Sequence, residues 1–227
     1  ERARKYAAGS NPLRQNQNNF MRIRVTFTKQ GALRYSGHLD LHRLMERAAR
    51  RASLPLSYSL GFHPQPKITF AAALPLGFSS RDEVMDIRLN EDLEPNDIAV
   101  RLKESLPTGI QILKVERVDD NLPPLQTQVL SATYEAHLTE PVDGKDLTRR
   151  VEEMMKAETL PRERRGKLYD LRPLIEMLSV VTESNGKIWL RMTLAARDGA
   201  TGRPEEVVEA LGIPADTVRV ERTRLIF

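Results

Sequence analysis

The sequence predicts an α+β fold of two tandem ferredoxin-like units, each with the element order β-α-β-β-α-β and an antiparallel sheet. Three observations lead to this prediction. Strand and helix periodicities follow that order in the first half, the second half repeats them, and two consecutive prolines at Pro123 and Pro124 separate the halves. The predicted division is a flexible basic tail at residues 1–20, a first domain at 21–120, a linker at 121–130 and a second domain at 131–227.

Residue spacing defines each element of the first half in turn. Apolar and polar residues alternate from Met21 to Phe27, which is the period of a half-buried strand. Apolar residues at spacings of three and four define one face of a helix over residues 38–52. The remaining elements are a short strand beginning at Leu56 and followed by a loop, strands at Lys67–Ala72 and Val84–Leu89, a helix from Pro95 to Leu106 and a strand at Ile110–Val115.

The second half repeats this order. Its first helix aligns with residues 38–52 without gaps, so that Leu41 matches Leu147, and Pro95 likewise matches Pro204 at the start of the second helix. The predicted elements are strands at Thr133–Leu138, Lys187–Ala196 and Val218–Ile226, and helices at Leu147–Ala157 and Pro204–Leu211. The segment Leu168–Leu178 stays unassigned between strand and loop.

Composition excludes several classes of function. The chain has no cysteine, so it has no disulfide, no thiolate nucleophile, no cysteine zinc site and no cysteine-held iron–sulfur cluster. Secreted domains of this size often carry disulfides, so we expect a cytoplasmic location. No apolar run approaches the roughly 18–20 residues that span a bilayer, so we expect no membrane partner. We also expect no cofactor.

The net charge is +4, and the excess of basic residues lies in residues 1–20 and 21–125 rather than in 126–227. This distribution permits a nucleic-acid partner without requiring one. The tail is rich in Asn, Gln and Arg and buries too little apolar surface to fold alone.

The most unusual segment runs from Arg34 to Lys67 and contains three of the 4 histidines. In the predicted fold, the start of the first helix and the Gly61–Lys67 loop meet at one end of the sheet. The candidate residues for RNA or partner binding are Arg34, Tyr35, His38, Asp40, His42, Arg43, Arg47, Arg50, Tyr58, Phe62, His63 and Lys67.

Three interpretations of the histidines stay open, namely a structural role, a polar contact with a ligand and a metal site. His38 and His42 are four apart and share one helix face, but zinc needs three or four ligands, so we expect no metal site. In the structural alternative, Ser36 caps the helix, Asp40 lies in its first turn and the histidines form local hydrogen bonds.

The arginines of the first helix also permit two interpretations. Arg43, Arg47 and Arg50 lie on one side of the helix, and the nearby Tyr58 and Phe62 are suited to stack on bases. This arrangement favours RNA, whereas a solvated helix face is the structural alternative. No Walker loop, dinucleotide fingerprint or nucleophile elbow is present, which makes catalysis the less favoured function, although His, Lys and Tyr could serve a metal-independent ribonuclease.

A secondary basic patch lies in the second half, where an exposed hairpin is the alternative. If Asp170 and Arg172 lie on one strand, they share a face and form a structural pair. The patch consists of Arg162, Arg164, Arg165, Lys167 and Arg172.

These motifs resemble the radical SAM-linked protein family, a domain of largely unassigned function found beside, or fused to, B12-binding-type radical SAM proteins. The resemblance covers most of residues 21–227. It rests on Leu33-Arg34-Tyr35-Ser36-Gly37-His38-Leu39-Asp40-Leu41, Arg50-Arg51-Ala52-Ser53-Leu54-Pro55-Leu56-Ser57-Tyr58-Ser59, Gly61-Phe62-His63-Pro64-Gln65-Pro66-Lys67-Ile68, Ala73-Leu74-Pro75-Leu76-Gly77 and Asp170-Leu171-Arg172-Pro173-Leu174.

The resemblance implies an accessory module that works with a separately encoded radical SAM protein. The expected function is binding of structured RNA or a ribosomal component, and no catalytic residues are carried over from the family. The alternatives are a metal-independent ribonuclease and a pure protein-interaction domain, in which the arginines meet an acidic partner.

Overall fold

The computed structural model describes residues 20–227, so the tail predicted at residues 1–20 lies outside the described residues except for Phe20. The fold is α+β, with a nine-stranded, mostly antiparallel sheet, which confirms the predicted class. Its elements are β1 (Met21–Lys29), α1 (His38–Arg51), β2 (Ile68–Phe70), β3 (Ser79–Leu89), α2 (Pro95–Ser105), β4 (Ile112–Val118), α3 (Leu125–Gln128), β5 (Ser131–Leu138), α4 (Gly144–Lys156), β6 (Pro161–Arg164), β7 (Lys167–Asp170), β8 (Ile175–Thr182), β9 (Ile188–Arg197), β10 (Ala200–Thr201), α5 (Pro204–Ala210) and β11 (Val218–Ile226).

Strand pairing follows the same order in both halves of the sheet. In the first half the order is β4-β1-β3-β2, and every pair is antiparallel. In the second half the order is β11-β5-β9-β8, again with antiparallel pairs only. Strands β6 and β7 form a separate hairpin.

The two halves join through a short parallel pairing between β11 and β3. Glu221 pairs with Ser79 and Arg222 with Ser80, which makes one continuous sheet. Each half has its own apolar cluster, but the segment from Ala71 to Val84 contributes to the cluster of the second half. The halves therefore share both a sheet and part of a core.

The amphipathic helices form where the apolar spacing predicts them. Helix α1 ends one residue earlier than predicted, at Arg51, and buries Leu41, Met45 and Ala48 along one face. The matched Leu147 of α4 is also fully buried. None of the helices between residues 20 and 227 combines the length and hydropathy that crossing a bilayer requires.

The segment before β3 contains less strand than predicted. Strand β2 covers only Ile68–Phe70, and Leu56 forms an isolated bridge with Leu89. Pro64 and Pro66 lack the N–H that a ladder needs, so regular pairing begins only after them.

Candidate functional site

Helix α1 begins after a 3₁₀ helix that spans Gly31–Tyr35. Gly37 is the N-cap residue, and its backbone N–H donates to Oδ2 of Asp40 at 3.3 Å. The hydroxyl of Ser36 donates instead to the carbonyl of Leu33 at 2.6 Å. The prediction that Ser36 caps the helix is therefore wrong, because its side chain turns back toward the preceding turn.

The two histidines of α1 pack against Phe70 of β2. Ring centroids lie 5.5 Å apart for His38 and 5.6 Å apart for His42. His42 Nε2 lies 3.3 Å from the carbonyl oxygen of Ile68 on β2, which is a contact between two elements rather than the local hydrogen bond of the structural alternative. Within residues 20–227, no three His, Cys, Asp or Glu side chains are grouped to hold a metal ion.

The start of α1 and the loop of residues 57–67 lie at opposite ends of β3. Lys29, at the end of β1, donates to the carbonyl of Ser36 at 2.8 Å, which places the helix start near the first residues of β3. Leu56 pairs with Leu89 at the other end of β3. The prediction that these segments meet is wrong, because α1 runs back along the sheet for about 21 Å.

Two exposed arginines of helix α1 form no close ion pair with another described residue. Arg43 and Arg47 are exposed and four apart, as the spacing predicts. Arg43 has only a 4.0 Å contact with Asp40, and Arg47 has no ion pair within the described part of the chain. Arg51 instead donates to the carbonyl of Ser105 at 2.6 Å, so it links α1 to α2.

Arg50 joins the far end of α1 to the loop of residues 57–67. Its guanidinium forms a 2.7 Å ion pair with Glu46 and lies 5.9 Å from the ring centroid of Tyr58. The loop therefore contacts the last turn of the helix rather than its first turn. This contact places the loop beside Arg50, about one helical turn beyond Arg47.

The loop has a fixed base and an exposed apolar tip. Tyr58 and Pro66 form an isolated β-bridge at its base. At the tip, Leu60 and Phe62 are fully exposed, at 100% and 102%, and His63 is also exposed. We call the surface formed by Arg43, Arg47, Arg50, Tyr58 and Phe62 the helix–loop surface.

The remaining predicted residues of this segment lie apart from the helix–loop surface or at its edge. Arg34 and Tyr35 precede α1, and the Arg34 guanidinium lies 5.1 Å from the Tyr35 ring centroid. Lys67 is exposed at the base of the loop, where its carbonyl accepts from the N–H of Arg88 at 3.0 Å. The twelve predicted residues therefore divide between two ends of the sheet.

The secondary basic patch is an exposed hairpin, as the structural alternative predicts. Arg165 and Lys167 lie at its turn and are exposed, whereas Arg162 is half-buried. Arg164 forms an ion pair with Glu206 of α5, with Nε 2.8 Å from Oε1. Its charge is therefore committed within the chain.

Arg172 does not contribute to that patch. It lies in a 3₁₀ helix after β7, where its guanidinium donates to the carbonyls of Met155 at 2.8 Å and Ile175 at 3.0 Å. Asp170 accepts from the backbone N–H groups of Leu160 and Arg172. The predicted side-chain pair on one strand is wrong, because the strand ends at Asp170.

A buried charged cluster, not predicted from the sequence, lies at the junction of the halves. Arg222 donates to Glu83 at 2.6 and 2.8 Å, and to the carbonyls of Ala72 and Ala73 at 3.2 Å. Glu83, Arg222 and the nearby Lys29 are each at most 1% exposed. We call these three charged residues the junction cluster.

The sequence does contain a signal for this cluster. Lys29 follows Phe27 by two residues, so it continues the inward-facing side of β1 with a charge. Arg222 follows Val220 in the same way. Burial lowers the pKa of Lys29, with Glu83 opposing that shift. A charge at an inward strand position is the pattern that identifies such a residue.

His38 provides a test of this environment. Burial, and next the neighbouring His42, lower the pKa of His38 below its ordinary 6.5. As the pH falls below 6.5, the unfolded chain gains a proton that the folded chain lacks, so the free energy of unfolding decreases. We expect His38→Gln to remove this part of the acid destabilisation. The titratable or charged groups around His38 are Lys29, His42, Glu83 and Arg222.

The measurement is urea unfolding of the wild type and the variant at several pH values between about 5 and 8. His63→Gln, which removes an exposed imidazole from the loop, is the matched control and should keep the wild-type pH dependence. A His38→Gln variant with the full wild-type dependence would show that His38 is protonated equally in both states.

Comparison with known proteins identifies the family. A sequence model described as "Uncharacterized protein conserved in bacteria (DUF2344)" matches residues 22–204, which is most of the chain. The chain belongs to the DUF2344 family. No curated protein matches it.

Three solved structures are similar to this DUF2344 protein at low identity. A chain of a Cbf5–Nop10–Gar1 complex has a TM-score of 0.48 and 11% identity, with 89% of this chain and 48% of that chain covered. A chain of an archaeal box H/ACA sRNP Nop10–Cbf5 complex has a TM-score of 0.44 and 11% identity, with 89% of this chain and 47% of that chain covered. A putative glycine cleavage system transcriptional repressor has a TM-score of 0.24 and 10% identity, with 92% of this chain and 98% of that chain covered. The DUF2344 chain thus spans about half the length of the first two matched chains.

Proposed function

We propose that this protein is an accessory module that binds structured RNA or a ribonucleoprotein surface and works with a separately encoded radical SAM enzyme. The observation that carries the RNA proposal is the helix–loop surface. Arg43 and Arg47 of this surface are exposed and form no close ion pair with a described residue. Their helix contacts the loop that carries the fully exposed Phe62. The radical SAM partnership rests on the sequence resemblance alone.

The chemistry of this surface suits a nucleic-acid strand. Arginine guanidinium groups contact phosphates and contribute affinity that depends on salt. An exposed aromatic ring contributes stacking on bases, which releases no counterions. Leu60 and Phe62 expose two apolar side chains close together at the loop tip, and adjoining exposed apolar surface is typical of interaction sites.

The repeated pairing order supports the interpretation of the chain as two tandem ferredoxin-like units. In this proposal the units correspond to residues 21–120 and 131–227, with residues 121–130 as the linker. The helix–loop surface belongs to the first unit. The two units share one sheet and part of one core.

A protein partner is the main alternative, because Leu60 beside Phe62 also suits an apolar contact. Salt dependence distinguishes the two. Each phosphate neutralised on a single strand contributes about −0.7 to the slope of log affinity against log salt. We therefore expect Arg43→Gln with Arg47→Gln to make the slope shallower by about 1.4.

The measurement is fluorescence anisotropy of a labelled single-stranded RNA of mixed sequence, titrated at four salt concentrations. The matched control is Arg149→Gln on α4 with Arg117→Gln on β4, which removes two exposed cations that pair with acidic side chains at 3.2 Å or less. That control should keep the wild-type slope. Unchanged affinity and slope in the Arg43/Arg47 variant would favour the protein-interaction alternative.

A further inference from the structure

A cleft of about 770 Å³ lies where the two halves of the sheet meet. Arg34 and Ser79 come from the first half, and the remaining lining residues come from the second half, including Lys187 and Arg219. Its volume falls within the range of small-molecule sites, which often lie between structural units. It is near the start of α1, whereas the helix–loop surface includes the far end of that helix.

The free charge in the cleft is mostly positive. Arg34, Lys187 and Arg219 have no acidic side chain within ion-pair distance anywhere in residues 20–227. The carboxylate of Glu221 is already committed to Arg81 at 2.5 Å, and it also accepts from Gln30 at 2.6 Å. Glu140 is the one lining carboxylate left without a cation in the described chain.

Arg34 lacks an acceptor for part of its guanidinium. Its Nε is buried and has no hydrogen-bond partner among the described residues. The backbone around it is held in place, because its carbonyl accepts from the N–H of Gly77 at 2.8 Å. This nitrogen is closed off from solvent, so a bound anion would instead contact the terminal guanidinium nitrogens, which donate no hydrogen bond to a described residue.

Part of the cleft wall is apolar. Pro141, Val142 and Ile188 line it, and Val142 and Ile188 are half-buried. We propose that this cleft binds a small phosphate monoester with a compact apolar or heterocyclic body. The phosphate contacts Arg34, Lys187 and Arg219, and the body of the ligand packs on the apolar wall.

Calorimetric titration of the full chain with adenosine 5′-monophosphate tests this proposal. Adenosine and inorganic phosphate should each bind at least tenfold more weakly, since each lacks one half of the recognised chemistry. Equal affinity for inorganic phosphate would overturn the ligand class. Absence of monophosphate binding at millimolar concentration would overturn the site.

Variants locate the binding. Arg34→Gln with Arg219→Gln should weaken monophosphate binding at least tenfold, and Lys187→Gln, at a hairpin end where folding is least affected, should weaken it several-fold. Arg197→Gln, an exposed cation outside the cleft, is the control and should bind like the wild type. Wild-type binding by the cleft variants would contradict the proposal.

This inference does not depend on the proposed RNA function. Competition between RNA and the monophosphate, measured in the Arg43→Gln/Arg47→Gln variant, distinguishes the two proposals, because that variant lacks the two exposed helix arginines. RNA that fails to displace the monophosphate supports a separate small-molecule site. RNA that displaces it would make the cleft part of an RNA path and overturn the proposal.

Discussion

Replacing Arg222 with alanine is expected to lower the free energy of unfolding by about 3–5 kcal/mol. Glu83 is 1% exposed, and both of its carboxylate oxygens accept from Arg222. Without the guanidinium, Glu83 would be an unpaired charge in the interior, and the carbonyls of Ala72 and Ala73 would lose a donor. Urea unfolding at pH 7 measures the loss.

Two further variants separate the charge from the side-chain volume. Arg224→Ala removes an exposed arginine from the same strand and should change stability by less than about 0.5 kcal/mol. Arg222→Met with Glu83→Leu should recover part of the lost stability, because apolar residues of similar size often replace a buried ion pair without loss. Recovery is incomplete, because the buried Lys29 loses its neighbouring carboxylate and the carbonyls of Ala72 and Ala73 still lack their donor. Equal stability of Arg222→Ala and the wild type would show that the pair is not buried in solution.

Phe62→Ala is expected to weaken RNA binding about 5- to 150-fold, which corresponds to about 1–3 kcal/mol for one stacked base. The ring is fully exposed at the loop tip, so its removal leaves the core unchanged. Stacking releases no counterions, so the salt slope should stay at the wild-type value. Fluorescence anisotropy with the same labelled RNA measures both quantities.

Phe62→Leu is the informative companion variant, since it keeps apolar surface but removes the flat ring. We expect it to bind RNA nearly as weakly as Phe62→Ala. Leu168→Ala, at the exposed β6–β7 hairpin, is the control for loss of an exposed apolar side chain and should bind like the wild type. Full RNA affinity in Phe62→Ala would remove the loop from the proposed interface.

The helix face of the candidate site was predictable from spacing alone. Arg43 and Arg47 lie opposite Leu41 and Met45 in a 3.6-residue period, so their exposure follows once the apolar side is buried. The position of the loop was not predictable in the same way. It depends on which end of β3 pairs with Leu56, and this pairing is a contact between residues far apart in sequence.

The sequence also did not show which arginines are paired with other groups of the chain. Arg164 and Arg172 belong to one basic segment in the sequence, yet Glu206 and backbone carbonyls engage them in the structure. Arg47, with similar local composition, is uncommitted within the described residues. Local composition cannot distinguish these cases, because the partner of each arginine lies on another element.

Sequence periodicity by itself determined the α+β class, the position of most helices and strands, and the repeated element order, because these features depend on which side of each local element is apolar. Only the tertiary structure decided that β11 pairs with β3 and that Arg222 meets Glu83, 139 residues away. Such contacts form when two separately patterned surfaces pack together, and the free energy of burying a charge is favourable only once its partner is in place. The junction cluster, the cleft beside Arg34 and the placement of the loop at the end of α1 all have this origin.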